Sequence, residues 1–149
     1  METTSLEHHP VLINEVLQCL QPEGDDFIVD CTFGRGGYSE AILGKLNENG
    51  RVLALDVDPE AIAHGERAFA NEPRLTLAQR NYDRIVETLE ELDMPTKVNG
   101  IVFDLGVSSP QLDDASRGFS FRIDGPLDMR MDPEAGLSAA AWLNMVSFK

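Results

Sequence analysis

Four short apolar runs alternate with segments of helical period, and that alternation restricts the chain to one fold class. The runs are Phe27-Ile28-Val29, Val52-Leu53-Ala54-Leu55, Leu75-Thr76-Leu77-Ala78 and Ile101-Val102-Phe103. Each is too short for a helix and too uniformly apolar for a strand with one wet face, so each predicts a strand buried on both sides. Strands are expected over 27–33, 51–56, 75–78 and 101–105. Between them lie Ser39 to Leu46, a segment opened by Asp58-Pro59-Glu60, and one carrying Ile85, Val86, Leu89 and Leu92. Asp58 supplies an N-cap, Pro59 a first-turn proline and Glu60 an acid facing the positive helix end. Asp83 is the expected cap of the following helix. Ahead of the first strand, Leu12, Ile13, Val16, Leu17 and Leu20 fall on one helical face, with Pro10 before them and Pro22 and Gly24 after. Strands alternating with helices predict a parallel, doubly wound, Rossmann-like α/β sheet.

The first strand runs into Asp30-Cys31-Thr32-Phe33-Gly34-Arg35-Gly36-Gly37. A strand, a glycine turn and a helix start together offer bare backbone and unpaired N–H groups to a ligand. In open α/β sheets ligands bind beyond the carboxyl ends of the strands. Here those ends deliver the turn, Asp56, Tyr82 and Asp104. An acid at the end of the second strand, about 20 residues past the turn, is placed for the ribose hydroxyls of an adenosine. Two ligand classes then stay open, a dinucleotide and S-adenosylmethionine. Dinucleotide sites favour G-x-G-x-x-G, whereas this chain reads G-x-G-G with Asp30 four residues ahead of the first glycine. An acid in that place suits the cationic amino group of a methionine moiety, which favours the methyl donor.

Net charge is −14 over 149 residues, which argues against a generic nucleic-acid binder with a basic face. An enzyme acting on RNA through a few placed arginines remains compatible with it. No run of eighteen apolar residues occurs and the start lacks a signal-peptide pattern, so a cytoplasmic protein without a membrane segment is expected. Cys19 and Cys31 are expected to be reduced and buried, and no Cys or His spacing resembles a zinc site. His8 and His9 read as solvated residues ahead of the covering helix.

After Gly106 the periodicity stops. Residues 107–136 are rich in Ser, Asp, Gly, Pro and Arg, yet Phe119, Phe121, Leu127, Met129 and Met131 are too apolar for disorder. A packed functional loop is expected, followed by a helix beginning at Ser138. Arg117, Arg122 and Arg130 are candidate phosphate contacts, although the neighbouring aspartates suit a self-paired loop better. Ser108 and Ser109 could cap the loop or read a base edge. The aspartates lack metal-ligand spacing, and no metal is expected.

Three motifs in this region carry a resemblance. Asp104-Leu105-Gly106-Val107-Ser108-Ser109-Pro110-Gln111-Leu112-Asp113, Arg117-Gly118-Phe119-Ser120-Phe121 and Asp124-Gly125-Pro126-Leu127-Asp128-Met129-Arg130-Met131-Asp132 closely resemble the RsmH family, formerly MraW. His8-His9-Pro10-Val11-Leu12 and the Asp30–Gly37 turn resemble earlier motifs of the same family, so the match runs in order from His8 to about Asn144. The resemblance implies S-adenosylmethionine-dependent methylation of N4 of a cytidine in small-subunit (16S) ribosomal RNA.

It further implies a donor site formed by Gly36, Gly37 and Tyr38 at the turn, Asp56 on the ribose, Tyr82 near the adenine, and Asp104 with Gln111 completing it. Asp104 would also be the catalytic proton acceptor, or else an acid that only positions the donor. Position 38 is commonly His in the family and is Tyr here. Family members are also longer, with an inserted helical domain and further strands. The chain is therefore expected to be a partial methyltransferase domain ending after the fourth strand: a helical segment at 1–26, a donor-binding core at 27–106 and the loop at 107–136. An inactive donor-binding fragment is the alternative, and a homodimer is left open.

Overall fold

A computed structural model describes residues 12–146, so the expectations for His8, His9 and Pro10 lie outside the described residues. Strands β1 (Phe27–Asp30), β2 (Arg51–Asp56), β3 (Leu75–Gln79) and β4 (Gly100–Val102) form one parallel sheet in the order β3-β2-β1-β4. Helices α2 (Gly37–Leu43), α3 (Pro59–Ala68) and α4 (Ile85–Glu91) make the crossovers, and α1 (Ile13–Leu20), ahead of β1, joins them in covering the sheet. Beyond β4 come the short helices α5 (Ser109–Asp113) and α6 (Ala139–Met145).

Both faces of β1 and β2 are packed, as their uniformly apolar runs require, but the outer strands depart from the expected burial: β3 is only partly buried and Ile101 of β4 is exposed. Ile28, Val52, Ala54 and Val102 face Tyr38, Ile42 and Leu43 of α2, with Val16, Leu17 and Leu20 of α1 packed outside them. Val29, Leu53 and Leu55 face the other way, towards Leu89 and Ile85 of α4. Register aligns Asp30 with Ala54 and with Val102, which brings the carboxyl ends of β1, β2 and β4 to one edge.

Several expected boundaries shift for local reasons. β1 leaves the ladder after Asp30, although the Cys31 and Phe33 N–H groups still donate to Val102 and Leu55 carbonyls at 2.9 Å each. β4 stops at Val102 because the Asp104 N–H turns instead to Thr32 Oγ1 at 2.7 Å. Asp83 does not cap a helix: Asn81 Oδ1 accepts from the Asp83 N–H and opens a 3-10 turn, Tyr82–Arg84, that leads into α4. Cys31 is buried and free, but Cys19 is exposed, since α1 turns it away from the sheet. The region after Gly106 contains a helix that periodicity missed, α5, because five residues are too few to show a period. Phe119 is buried there, whereas Phe121 is fully exposed.

Candidate functional site

The glycine turn is fixed from beneath by two carboxylates. Asp30 is fully buried, and its Oδ2 accepts from Ser39 Oγ at 2.7 Å while Oδ1 accepts from the Thr32 N–H at 3.1 Å. Both bonds stay within the turn and α2, so Asp30 braces the site from behind rather than lining it. That corrects its expected contact with a ligand ammonium. Burial raises its pKa to about 6, opposed by the bonds from Ser39 and Thr32 and reinforced by the nearby Asp56 and Asp104 charges. Asp56 divides its oxygens between the Gly34 N–H at 2.8 Å and the Asp58 N–H at 2.9 Å. A carboxylate oxygen can accept more than one bond, so Asp56 retains acceptor capacity towards a ligand. Burial raises its pKa above the ordinary carboxylate range.

Gly36 holds the turn sterically. Its φ is +83°, and a Cβ there would lie 2.7 Å from the Phe69 ring and 2.8 Å from the Phe33 ring. Those two rings stack edge to face at 5.9 Å. Gly36 is therefore a packing and turn residue, while Gly34, Arg35 and Gly37 line the cavity.

That cavity, of about 790 Å3, opens at the carboxyl edge of the sheet. It falls within the range of small-molecule sites, about 300–1,000 Å3. Tyr38, Asp56, Tyr82, Asp104 and Gln111 all line it. Five of the expected site residues thus converge, joined by Gly37 from the turn. Tyr38 is buried, and burial followed by the Asp104 and Asp30 charges raises its pKa. Tyr82 meets Phe103 edge to face at 5.5 Å, which leaves both rings half exposed on one rim. Asp104 follows Phe103, its backbone N–H held by Thr32 Oγ1.

A buried polar cluster closes the far wall, and sequence reasoning saw only part of it. Asp58 caps α3 by accepting the Glu60 N–H at Oδ1, 3.0 Å. Its Oδ2 accepts from Gln111 Nε2 at 2.7 Å and from Arg117 Nη2 at 3.0 Å. Asp58, Gln111 and Arg117 are 3%, 5% and 6% exposed. Gln111 completes the junction by accepting the Ser108 N–H at 2.9 Å. Asp58 was legible as a cap. Its second oxygen was not, because the partners lie 53 and 59 residues away.

Burial removes Arg117 from the candidate phosphate contacts. Arg130 pairs with Asp128 at 2.7 Å, a local pair that holds the Asp128 carboxyl down to about 2. Arg122 is exposed. Among the described residues no group of three His, Cys, Asp or Glu side chains could hold a metal, and no helix is long and apolar enough to cross a membrane.

A parallel sheet whose order reverses between β1 and β4, with its cavity at that reversal, defines a ligand-binding Rossmann-like α/β protein. Residues 5–149 match the MraW methylase family, and the chain belongs to that family. It is 48% identical over 148 residues to the ribosomal RNA small subunit methyltransferase H of Alcanivorax borkumensis, covering 99% of this chain and 47% of that protein. A Thiobacillus denitrificans protein of the same name is 54% identical over 136 residues, covering 91% of this chain and 43% of its own length. The chain spans just under half the length of these curated relatives. A crystallised Clostridium thermocellum protein, assigned provisionally as an rRNA methylase, superposes with a TM-score of 0.53 at 22% identity, over 64% of this chain and 50% of its own. That likeness supports the fold.

Proposed function

We propose that this chain is the donor-binding portion of an S-adenosylmethionine-dependent methyltransferase acting on N4 of a cytidine in small-subunit (16S) rRNA. Family membership and the name its relatives share support the reaction class. The observation that carries the ligand is the placement of acids at the strand ends: Asp56 and Asp104 both line the cavity, with Asp30 buried behind the turn, while of the two arginines that also line it Arg80 is paired with Glu91. These charges act on one another, since both raise the Asp30 pKa. A ligand carrying a sulfonium and an ammonium relieves the repulsion among these three acids.

In this reading residues 27–106 are the donor-binding core and residues 107–136 the loop that closes over it. Gly37 and Tyr38 meet the donor at the turn whose shape Gly36 permits. Asp56 takes the ribose hydroxyls with its remaining acceptor capacity, Tyr82 packs along the adenine, and Gln111 borders the pocket. S-adenosylmethionine, when bound, supplies a methyl group on a positively charged sulfur. Cytosine N4 is a weak nucleophile because its lone pair is delocalised into the ring, so the protein must orient it and remove a proton. Asp104, exposed at the cavity mouth, is the acceptor for that proton. The target base must leave its stack to reach it.

Transfer of labelled methyl groups to small ribosomal subunits tests the reading. Wild type is expected to label and Asp104→Ala to fall by about a hundredfold, the usual loss of a general base. Equal labelling would remove Asp104 from the chemistry. The short span against the relatives favours a second reading, a donor-binding fragment without turnover. Calorimetric binding of S-adenosylhomocysteine with no transfer would establish it.

A further inference from the structure

We propose that the Asp58–Arg117 ion pair is a clasp that positions the wall of the cavity formed by residues 107–131, with Asp58 and Arg117 acting as positioning residues. This rests on the donor-site reading of the cavity.

The geometry points there from three directions. First, one oxygen of Asp58 gathers both elements of the loop, Gln111 from α5 and Arg117 from the turn after it. Second, Arg117 passes the connection onward: Nη2 also donates to the Met131 carbonyl at 2.8 Å and to the Arg130 carbonyl at 3.3 Å. Gln111 and Met131 both line the cavity, so a single carboxylate fixes two parts of its wall. Asp58 itself lies two residues after Asp56, so the donor-facing acid and the loop share one strand exit. Third, the loop is packed tightly onto itself. Gly118 has φ +74°, and a Cβ on it would strike the Pro126 carbonyl, while a Cβ on Gly125 would strike the Ala115 carbonyl. The Met129 N–H closes the unit onto the Arg117 carbonyl at 3.0 Å.

The pair is a poor device for stability alone. Among the described residues Arg117 Nε and Nη1 are buried without a hydrogen-bond partner, and exposed Glu60 approaches Nη1 at 3.5 Å. A buried ion pair of this kind often adds no net stability over apolar replacements, but it does fix geometry.

Asp58→Asn separates the clasp from the helix cap. Asparagine caps a helix as well as aspartate does, but it turns an N–H2 group towards the Gln111 and Arg117 donors or leaves them facing a neutral oxygen. Hydrogen exchange followed by mass spectrometry reads the result. In Asp58→Asn and in Arg117→Met, exchange over residues 114–131 is expected to rise about tenfold while the β1 and β2 amides keep their protection. S-adenosylhomocysteine affinity, read by calorimetry, is expected to weaken about tenfold, as it would if the ordered loop fell to about a tenth of the population. Glu60→Gln should change neither. Unchanged loop exchange in both clasp variants would overturn the clasp, and a freed loop with unaltered affinity would overturn its positioning role. Failure of the wild type to bind S-adenosylhomocysteine would count against the donor-site reading instead, and the exchange rates would still decide the clasp.

Discussion

The two walls of the cavity are built by different physics. On the β1–β2 side, Ile28, Val29, Val52, Leu53 and Leu55 are completely buried, and the turn they support is closed by Phe33 and Phe69. On the β4 side, Ile101, Phe103 and Leu105 are 44%, 52% and 65% exposed, and Trp142 and Leu143 of α6 are also uncovered. The first wall follows from core packing and cannot move without disturbing the sheet. The second is fixed by a few directional contacts, Thr32 to the Asp104 N–H and the Asp58 cluster to the loop. Binding groups on the first wall are therefore rigid, while the proposed proton acceptor and its loop sit where small polar changes can shift them.

The contrast is tested most severely by paired truncations. Leu53→Ala removes a fully buried side chain between β2 and α4 and should cost about 2–5 kcal/mol. Leu105→Ala, on the open side, should cost about 0.5 kcal/mol or less. Urea unfolding midpoints compare them, and similar losses would mean that the β4 edge is covered in solution. Next in size is Gly36→Ala, which combines a left-handed φ with contact against two aromatic rings. Overpacking and αL strain together suggest about 3 kcal/mol. Thermal unfolding checks this, and a neutral result would show that Phe69 can yield and that the turn is softer than its packing implies.

The same division explains what could be read from the chain. The two central buried strands, the parallel pairing and the cap at Asp58 follow from apolar runs and local chemistry, and each stands in the structure, whereas the burial expected of β3 and β4 does not. Asp56, Tyr82 and Asp104 could be placed at one edge because strand ends converge there in this class of sheet. Asp30 was misassigned because sequence spacing does not say which way a side chain points at a strand end. Here the Ser39 hydroxyl, nine residues on, draws it beneath the turn. Arg117 looked like a surface cation among aspartates. Only the fold brings Asp58 to it, and long-range polar pairs leave no local pattern.

Asp30 also supplies the most diagnostic prediction, because it shows what rigidity on the first wall costs. Its folded pKa of about 6 lies above the ordinary 3.8. The folded state therefore holds a proton between those values that the unfolded chain has released. Stability is then highest at low pH with respect to this group, falls as pH rises from about 4 through 6, and is level above that. A shift of this size sets a ceiling of about 3 kcal/mol on the destabilisation at neutral pH. Asp30→Asn keeps an acceptor for the Thr32 N–H and a partner for the Ser39 hydroxyl, which can reorient to accept, while removing the buried charge. The variant should be more stable than wild type at pH 8, by up to that ceiling, and the advantage should vanish near pH 4. Urea titrations at the two pH values give both numbers. A variant less stable at pH 8 would mean that the charged form is stabilised by the turn more than burial opposes it, and the rigid wall would then owe its position to a carboxylate rather than to apolar packing.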